Sequence, residues 1–288
     1  MTQSQQQESG TVLSLWRYPV KSMMGEELSE AYVQGQGVLG DRAYALLDSE
    51  TGKAASAKNP GKWPTLFNFH ATFLERLRGA KMPPVEITLP NGASVTSEQP
   101  GIDEILSTAL NRKVALAMAD KGQVAGVQSL MPAEWTGQAE EYWPDIDGRD
   151  HKDTVTDFTL PAGTFFDGAT MHLVTTATLE RLRELYPQGR FEAPRFRPNV
   201  VVATAAGEKG FVEQAWISHT VAIGNQVRLR ITGPCARCVM TTLAQGDLPK
   251  DSGILRTAVQ HSHGHVGVYA AVVQGGTISP GDRVRLDD

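Results

Sequence analysis

The sequence predicts a mainly β protein of the α+β class: antiparallel strands in barrel-like arrangements, with a few isolated helices. Two observations predict it. Short apolar runs rich in β-branched and aromatic residues recur along the chain, separated by turn signals such as Asn91-Gly92, Thr51-Gly52 and Gly281-Asp282. Runs of that length with such punctuation read as strands joined by hairpins. Only two stretches carry a helical period, and they do not alternate with strands as a doubly wound parallel sheet requires.

The first strands fall at Val12-Leu13-Ser14-Leu15-Trp16, at Tyr44-Ala45-Leu46-Leu47 before the turn 48–52, and at Val85-Glu86-Ile87-Thr88-Leu89 before Pro90-Asn91-Gly92. Residues 101–111 break the pattern. Ile102, Ile105, Leu106 and Ala109 lie at i, i+3, i+4 and i+7, the spacing of one buried helical face. Residues 121–153 lack periodicity and are rich in Gly, Pro, Trp, Asp and Glu. They divide the chain into an N-terminal barrel domain over 11–120, an irregular connection over 121–153 and a C-terminal domain over 154–288. A second helix is expected over 176–186. Thr175 or Thr176 caps it, Leu179, Leu182 and Leu185 form its apolar side, and Pro187 with Gly189 stops it. Strands are then expected at 199–203, 221–223, 227–231, 239–243, 266–273 and 284–286.

The chain has 288 residues, 41% of them hydrophobic and 20% charged, enough to build a real core. A net charge of −5 argues against a nucleic-acid partner, which selects for a basic stripe. It leaves room for one small anionic ligand held by a few local cations. The first ten residues are polar and carry no signal-peptide pattern, and no apolar run reaches the roughly 20 residues that span a bilayer. A cytoplasmic protein without a membrane partner, and a monomer, is the expectation. The two cysteines, Cys235 and Cys238, cannot form the framework of a secreted disulfide scaffold.

Gly35-Gln36-Gly37-Val38-Leu39-Gly40 matches a dinucleotide-binding fingerprint by letter. That motif works only where a strand leads into a helix whose N-terminus faces a pyrophosphate. Here residues 41–48 read as another strand, so a glycine-rich turn between strands is expected.

Cys235-Ala236-Arg237-Cys238 admits several chemistries. A redox pair needs a helix N-terminus to lower a thiol pKa, and the following run 239–243 favours strand. Half a zinc site needs two more ligands, for which His261, His263 and His265 are candidates, although histidines alternating with Ser and Gly more often mark a solvated loop. Two readings stay open on spacing alone. Both cysteines can be small buried residues at a strand start. Alternatively, one soft thiolate can ligate a transition metal, with Arg237 beside it favouring the charged form.

An ordered set of short motifs narrows this choice. Leu15-Trp16-Arg17-Tyr18-Pro19-Val20-Lys21-Ser22, Gly40-Asp41-Arg42, Phe196-Arg197-Pro198-Asn199, Arg237-Cys238-Val239-Met240-Thr241-Thr242 and the closing Gly276-Thr277-Ile278-Ser279-Pro280-Gly281-Asp282 occur in that order. From about Thr11 to Leu286 the chain resembles the MOSC (molybdenum cofactor sulfurase C-terminal) family in its form with an N-terminal β-barrel domain. That family includes the mitochondrial amidoxime-reducing component and bacterial reductases of N-hydroxylated bases.

The resemblance implies a molybdenum cofactor, Mo-molybdopterin, with Cys238 as the metal's ligand and Cys235 as a structural residue. It implies that Lys21, Ser22, Arg42, Arg197, Asn199, Ala236 and Arg237 contact the cofactor. The turn Asp167-Gly168-Ala169-Thr170 matches another cofactor-facing loop, with Asp167 as a candidate proton donor. These residue types suit the task, because Arg, Lys and Ser bind a phosphate tail through charge-assisted hydrogen bonds. The implied activity is reduction of a small N-hydroxylated substrate, with electrons from a separate flavoprotein or ferredoxin. An iron–sulfur cluster would need four cysteines, and this sequence has two. The alternative is a sulfur-carrier or cofactor-handling protein using a persulfide on Cys238. The acidic stretch 128–154 matches no part of this pattern.

Overall fold

A computed structural model describes residues 8–77, 82–119, 135–150, 152–205 and 207–287. Strands β1 (Glu8–Arg17), β2 (Glu26–Leu28), β3 (Ala31–Gln34), β4 (Gly37–Val38) and β5 (Tyr44–Asp48) come first. Then follow β6 (His70–Phe73), β7 (Val85–Thr88), β8 (Ser94–Thr96), helix α1 (Ile102–Leu110) and β9 (Val114–Met118). A hairpin of β10 (Gln138–Trp143) and β11 (Thr154–Thr159) leads to β12 (Met171–Thr175), α2 (Thr176–Leu185), β13 (Val200–Ala203) and β14 (Thr220–Ile223). The chain ends with β15 (Val227–Ala236), α3 (Gly253–Ser262), β16 (His265–Gln274), β17 (Gly276–Ile278) and β18 (Arg283–Asp287).

Seven strands close a barrel in the order β13, β12, β16, β15, β14, β18, β1, and β1 returns to pair with β13. Closure removes the unpaired sheet edges that would otherwise invite association. The pairings are antiparallel except β12–β13, which the crossover through α2 makes parallel. β1 comes from the start of the chain yet belongs to the barrel of the C-terminal half. Alternation explains the barrel's filling. Val227, Leu229 and Ile231 of β15 point inward beside Val12, Leu15, Val221, Val268 and Val284. Each such side chain contributes about 1.5–3 kcal/mol on full burial.

The N-terminal half packs β5–β9 and β6–β7–β8 around a second core of Val20, Met23, Leu46, Phe69, Ile87 and Leu106. The halves are not separate bodies. Met240 is buried in that N-terminal core and Cys238 packs against it, although both follow β15.

The sequence reading needs three amendments. Residues 239–243 are not a strand: Val239–Thr242 form a single 3-10 turn capped by Cys238. The helix α3 was not expected; it places His261 in its last turn, with His263 just beyond it and His265 on β16. Among the described residues no cluster of His, Cys, Asp or Glu suits a metal ion. The stretch read as irregular carries β10, while its residues 121–134 and 151 lie outside the described residues. The fingerprint-like glycines lie in turns between strands, as expected, with Gly35 and Gly37 at the hairpin of β3 and β4 and Gly40 just after it. There Gly37 has φ +94, and a Cβ would meet the Thr170 carbonyl at 2.4 Å.

Candidate functional site

One cavity is lined by Lys21, Ser22, Arg42, Asp167, Arg197, Asn199, Ala236, Arg237 and Cys238, the residues that the resemblance placed at a cofactor, whereas Cys235, His261, His263 and His265 lie outside its lining. It contains about 710 Å³ of space, its open mouth included, which is the size range of small-molecule and cofactor sites. Both halves build it. Lys21, Ser22 and Arg42 sit in the turns between β1 and β5. Asp167 precedes β12, Arg197 and Asn199 precede β13, and Ala236 to Cys238 run off the end of β15. β15 stays paired with β16 as far as Ala236, with register shifts at Ile231/Gly233 and Pro234/Ala236 that mark bulges just before the cavity-lining residues.

Three of these residues hold left-handed backbone conformations rare for side chains with a Cβ: Ser22 at φ 63, Arg42 at φ 50 and Arg197 at φ 54. Such strain persists only where the surroundings enforce it, and it concentrates at functional sites. The enforcement is visible. Asp41 is fully buried and accepts from the Tyr18 N–H at 2.8 Å, from Asn199 Nδ2 at 2.8 Å and from the Arg42 guanidinium. Arg197 donates to the Met23 carbonyl at 2.6 Å, and its own carbonyl accepts from Arg42 Nη2 at 3.4 Å. The guanidinium carbons of Arg42 and Arg197 lie 4.5 and 4.1 Å from the centre of the Tyr18 ring, so one aromatic side chain supports both cations.

The cavity carries excess positive charge. Lys21 donates to the Phe165 carbonyl at 3.0 Å and pairs with Asp167, which also pairs with Lys58 at 3.3 Å. Burial lowers the Lys21 pKa, while that of Arg197 falls to about 10 through burial and the nearby Arg42 charge. Burial alone would raise the Asp167 carboxyl. Lys21 and Lys58 outweigh it and hold the group well below the usual carboxylate range. Asp167 thus anchors two ammonium groups, those of Lys21 and Lys58. Asn199 is likewise engaged within the protein. Its Oδ1 accepts from the His172 N–H at 3.1 Å while its Nδ2 is bound to Asp41, so it fixes the frame of the site.

Arg237 lines the cavity and also makes bonds within the protein. Its Nη1 donates to Cys235 Sγ at 2.8 Å and its Nη2 to the Phe196 carbonyl at 2.9 Å. Its Nε is buried, and no partner for it occurs among the described residues. The guanidinium thus serves the first cysteine directly. Burial would raise the Cys235 pKa, but Arg237 and His172 reverse this and lower it to about 6. Cys238 behaves oppositely. Burial pushes its thiol up, against the opposing charges of Lys58 and Arg237. Cys235 is inaccessible, whereas Cys238 lines the cavity.

Two residues that matter here carry no sequence motif. Lys58 lines the cavity from the loop after β5. Arg195, fully buried, donates to the carbonyls of Arg190 at 2.8 Å, Thr241 at 3.1 Å, Leu243 at 3.0 Å and Pro249 at 2.7 Å. It holds the turn that follows Cys238. Its position within Arg195-Phe196-Arg197 offered a hint, but sequence does not reveal that its partners are distant carbonyls.

A barrel of this topology, joined to an N-terminal β half and meeting it at a cationic, thiol-bearing cavity, has known relatives. The model of the MOSC N-terminal beta barrel domain matches residues 9–126, and that of the MOSC domain matches residues 162–285. The chain belongs to the MOSC family. It is similar to mitochondrial amidoxime-reducing component 1 of Mus musculus, at 24% identity over 97% of this chain and 83% of the mouse protein. It is also similar to mitochondrial amidoxime reducing component 2 of Macaca fascicularis, at 26% identity over 82% of this chain and 68% of that protein. Among solved structures, YuaD from Bacillus subtilis aligns over 96% of this chain and 95% of its own, with 11% identity and a TM-score of 0.46. YiiM from Geobacillus stearothermophilus aligns over 42% of this chain and 55% of its own, with 16% identity and a TM-score of 0.31. No helix among the described residues is long and apolar enough to cross a membrane.

Proposed function

We propose that the cavity binds a molybdenum–pterin cofactor through Cys238, and that the loaded protein reduces N-hydroxylated compounds with electrons from a separate flavoprotein or ferredoxin. The observation that carries this reading is one cavity holding a thiol and the cations Lys21, Arg42, Lys58, Arg197 and Arg237. The local carboxylates do not balance that charge. Asp167 is shared by two lysines, Asp41 is taken up by Arg42 and Asn199, and Glu141 pairs with Lys58. Clustered cations repel one another and lose hydration, so the arrangement favours an anionic ligand.

The residues present fit the group. Arg42 and Arg197, supported on Tyr18, together with Lys21 and Ser22, would hold a phosphate tail, for which Arg supplies planar pairs of donors. Arg237, which lines the same cavity as Cys238, would add a further cation on that wall. Cys238 would supply the soft ligand that a transition metal prefers. When bound, the metal supplies the two-electron chemistry of N–O bond reduction. The protein's part is to bind, orient and tune. Arg195 fixes the turn carrying Cys238, and Asp167 keeps Lys21 and Lys58 in place. The names of the mammalian relatives support the amidoxime-type substrate class.

The test is an activity assay on protein purified from a host that makes the cofactor, using a chemical reductant and an aromatic amidoxime. Amidine formation that disappears in Cys238→Ser is the expected result. A persulfide on Cys238 in metal-free protein would point to the sulfur-carrier alternative.

A further inference from the structure

Lys58 is held with more care than a solvated lysine needs. The Tyr142 N–H of β10 donates to its carbonyl at 2.8 Å, and Glu141 of the same strand pairs with its ammonium at 3.2 Å. On the other side the ammonium meets Asp167 at 3.3 Å and stands 4.3 Å from the centre of the Phe158 ring of β11. The loop beneath is pinned as well, because the Ala57 N–H donates to Ser22 Oγ at 3.1 Å. Lysine is a flexible stem ending in a point charge, and fixing it costs rotamer entropy. Here four elements fix it at the wall of the cavity that Cys238 lines.

Glu141 makes the arrangement more telling. It sits at an inward position of β10, where the other inward residue is Ala139, and it is 8% exposed. A buried carboxylate weakens a strand unless its charge is met, and Lys58 meets it. An ammonium has three N–H groups. Among the described residues Glu141 and Asp167 take two, which leaves a donor for whatever occupies the cavity.

We infer that Lys58 is a ligand-contacting residue, presented by the β10–β11 hairpin to donate a hydrogen bond to an oxygen of the molecule bound beside Cys238. The ligand class is an oxyanion or an electron-rich N–O oxygen. Against the opposing effect of burial, the Asp167 and Glu141 carboxylates beside the Lys58 ammonium favour its charged form. That the oxygen belongs to an N-hydroxylated substrate rests on the function proposed above; the oxygen site itself does not.

The experiment separates the two. Cys238 in the chain purified from a host that does not make the cofactor is alkylated with iodoacetamide at fixed pH in rising sulfate, and labelling is followed by intact mass. Sulfate should slow labelling of the parent protein and of Lys58→Arg. In Lys58→Met the half-protecting concentration should rise by about tenfold, as loss of a charge-assisted hydrogen bond implies. Glu141→Gln, which keeps the ammonium but releases its hold, guards against a folding defect and should give a smaller shift in the same direction. Equal protection in the parent and Lys58→Met, or none in the parent, overturns the inference. In the molybdenum-loaded protein, Lys58→Met should raise the amidoxime KM at unchanged metal content, with Lys58→Arg restoring it. An unchanged KM overturns the substrate contact. A metal-free parent protein would defeat the cofactor reading and leave the sulfate result to judge Lys58.

Discussion

The ammonium of Lys21 and the carboxylate of Asp167 form an ion pair across the cavity, although 146 positions separate them in the chain. One lies in the turn after β1 and the other in the loop before β12, so this pair ties the N-terminal half to the barrel at the site itself. Asp167 is partly open to the cavity, where water screens the interaction and limits its contribution to stability.

The pair makes the acid limb of stability depend on Asp167. Its carboxyl is held below the ordinary value, so the stabilisation is present above the ordinary carboxylate range and is lost as pH falls through the folded-state value. Melting temperatures measured from pH 7 down to pH 3 should fall more steeply in the parent protein than in Asp167→Asn. Parallel curves would show that the pair does not contribute.

Arg195 joins four carbonyls around the turn after Cys238. Arg195→Met keeps much of the volume and leaves those acceptors without their donor. The cost of unsatisfied buried groups predicts a loss of about 3 kcal/mol or more in urea unfolding. A loss below about 1 kcal/mol would mean that water or another donor takes over the role.

The two cysteines should separate by accessibility and not by acidity. Cys235 has the lower pKa, near 6, but no exposed surface, while Cys238 faces the cavity. Alkylation of the folded, cofactor-free protein should label Cys238 alone, and both thiols should react after unfolding. Early labelling of Cys235 would require the β15–β16 pairing around it to open readily.

Much of this architecture was legible in the sequence because its signals are local. The strands around Val12, Tyr44, Val85, Val221 and Val284 alternate or run apolar between turn residues, and α2 begins where the Thr175 side chain accepts from the Thr178 N–H. The failures have physical causes. β10 was hidden because one of its two buried positions is Glu141, so a buried ion pair erased the apolar alternation. Residues 239–243 look like a strand because Val239, Thr241 and Thr242 are β-branched and the run is otherwise apolar. The Cys238 carbonyl accepts from the Thr241 N–H and Arg195 gathers the carbonyls beyond, which together fold the run into a turn. α3 is hard to read in the sequence because its last turn runs into the alternating histidines, although Ile254, Ala258 and Ser262 are buried at four-residue intervals. The site residues were legible as ordered motifs. Lys58 was not, since its importance comes from a hairpin more than 80 positions away.

The central claim is that Cys238 ligates a metal whose anionic cofactor is gripped by cations from both halves. Molybdenum analysis of the parent protein, Cys238→Ala and Arg197→Ala, each purified from a cofactor-producing host and checked for folding by circular dichroism, tests it most directly. The account predicts stoichiometric molybdenum in the parent, none in Cys238→Ala and a reduced amount in Arg197→Ala. Folded parent protein without molybdenum, or metal retained in full by Cys238→Ala, would contradict it.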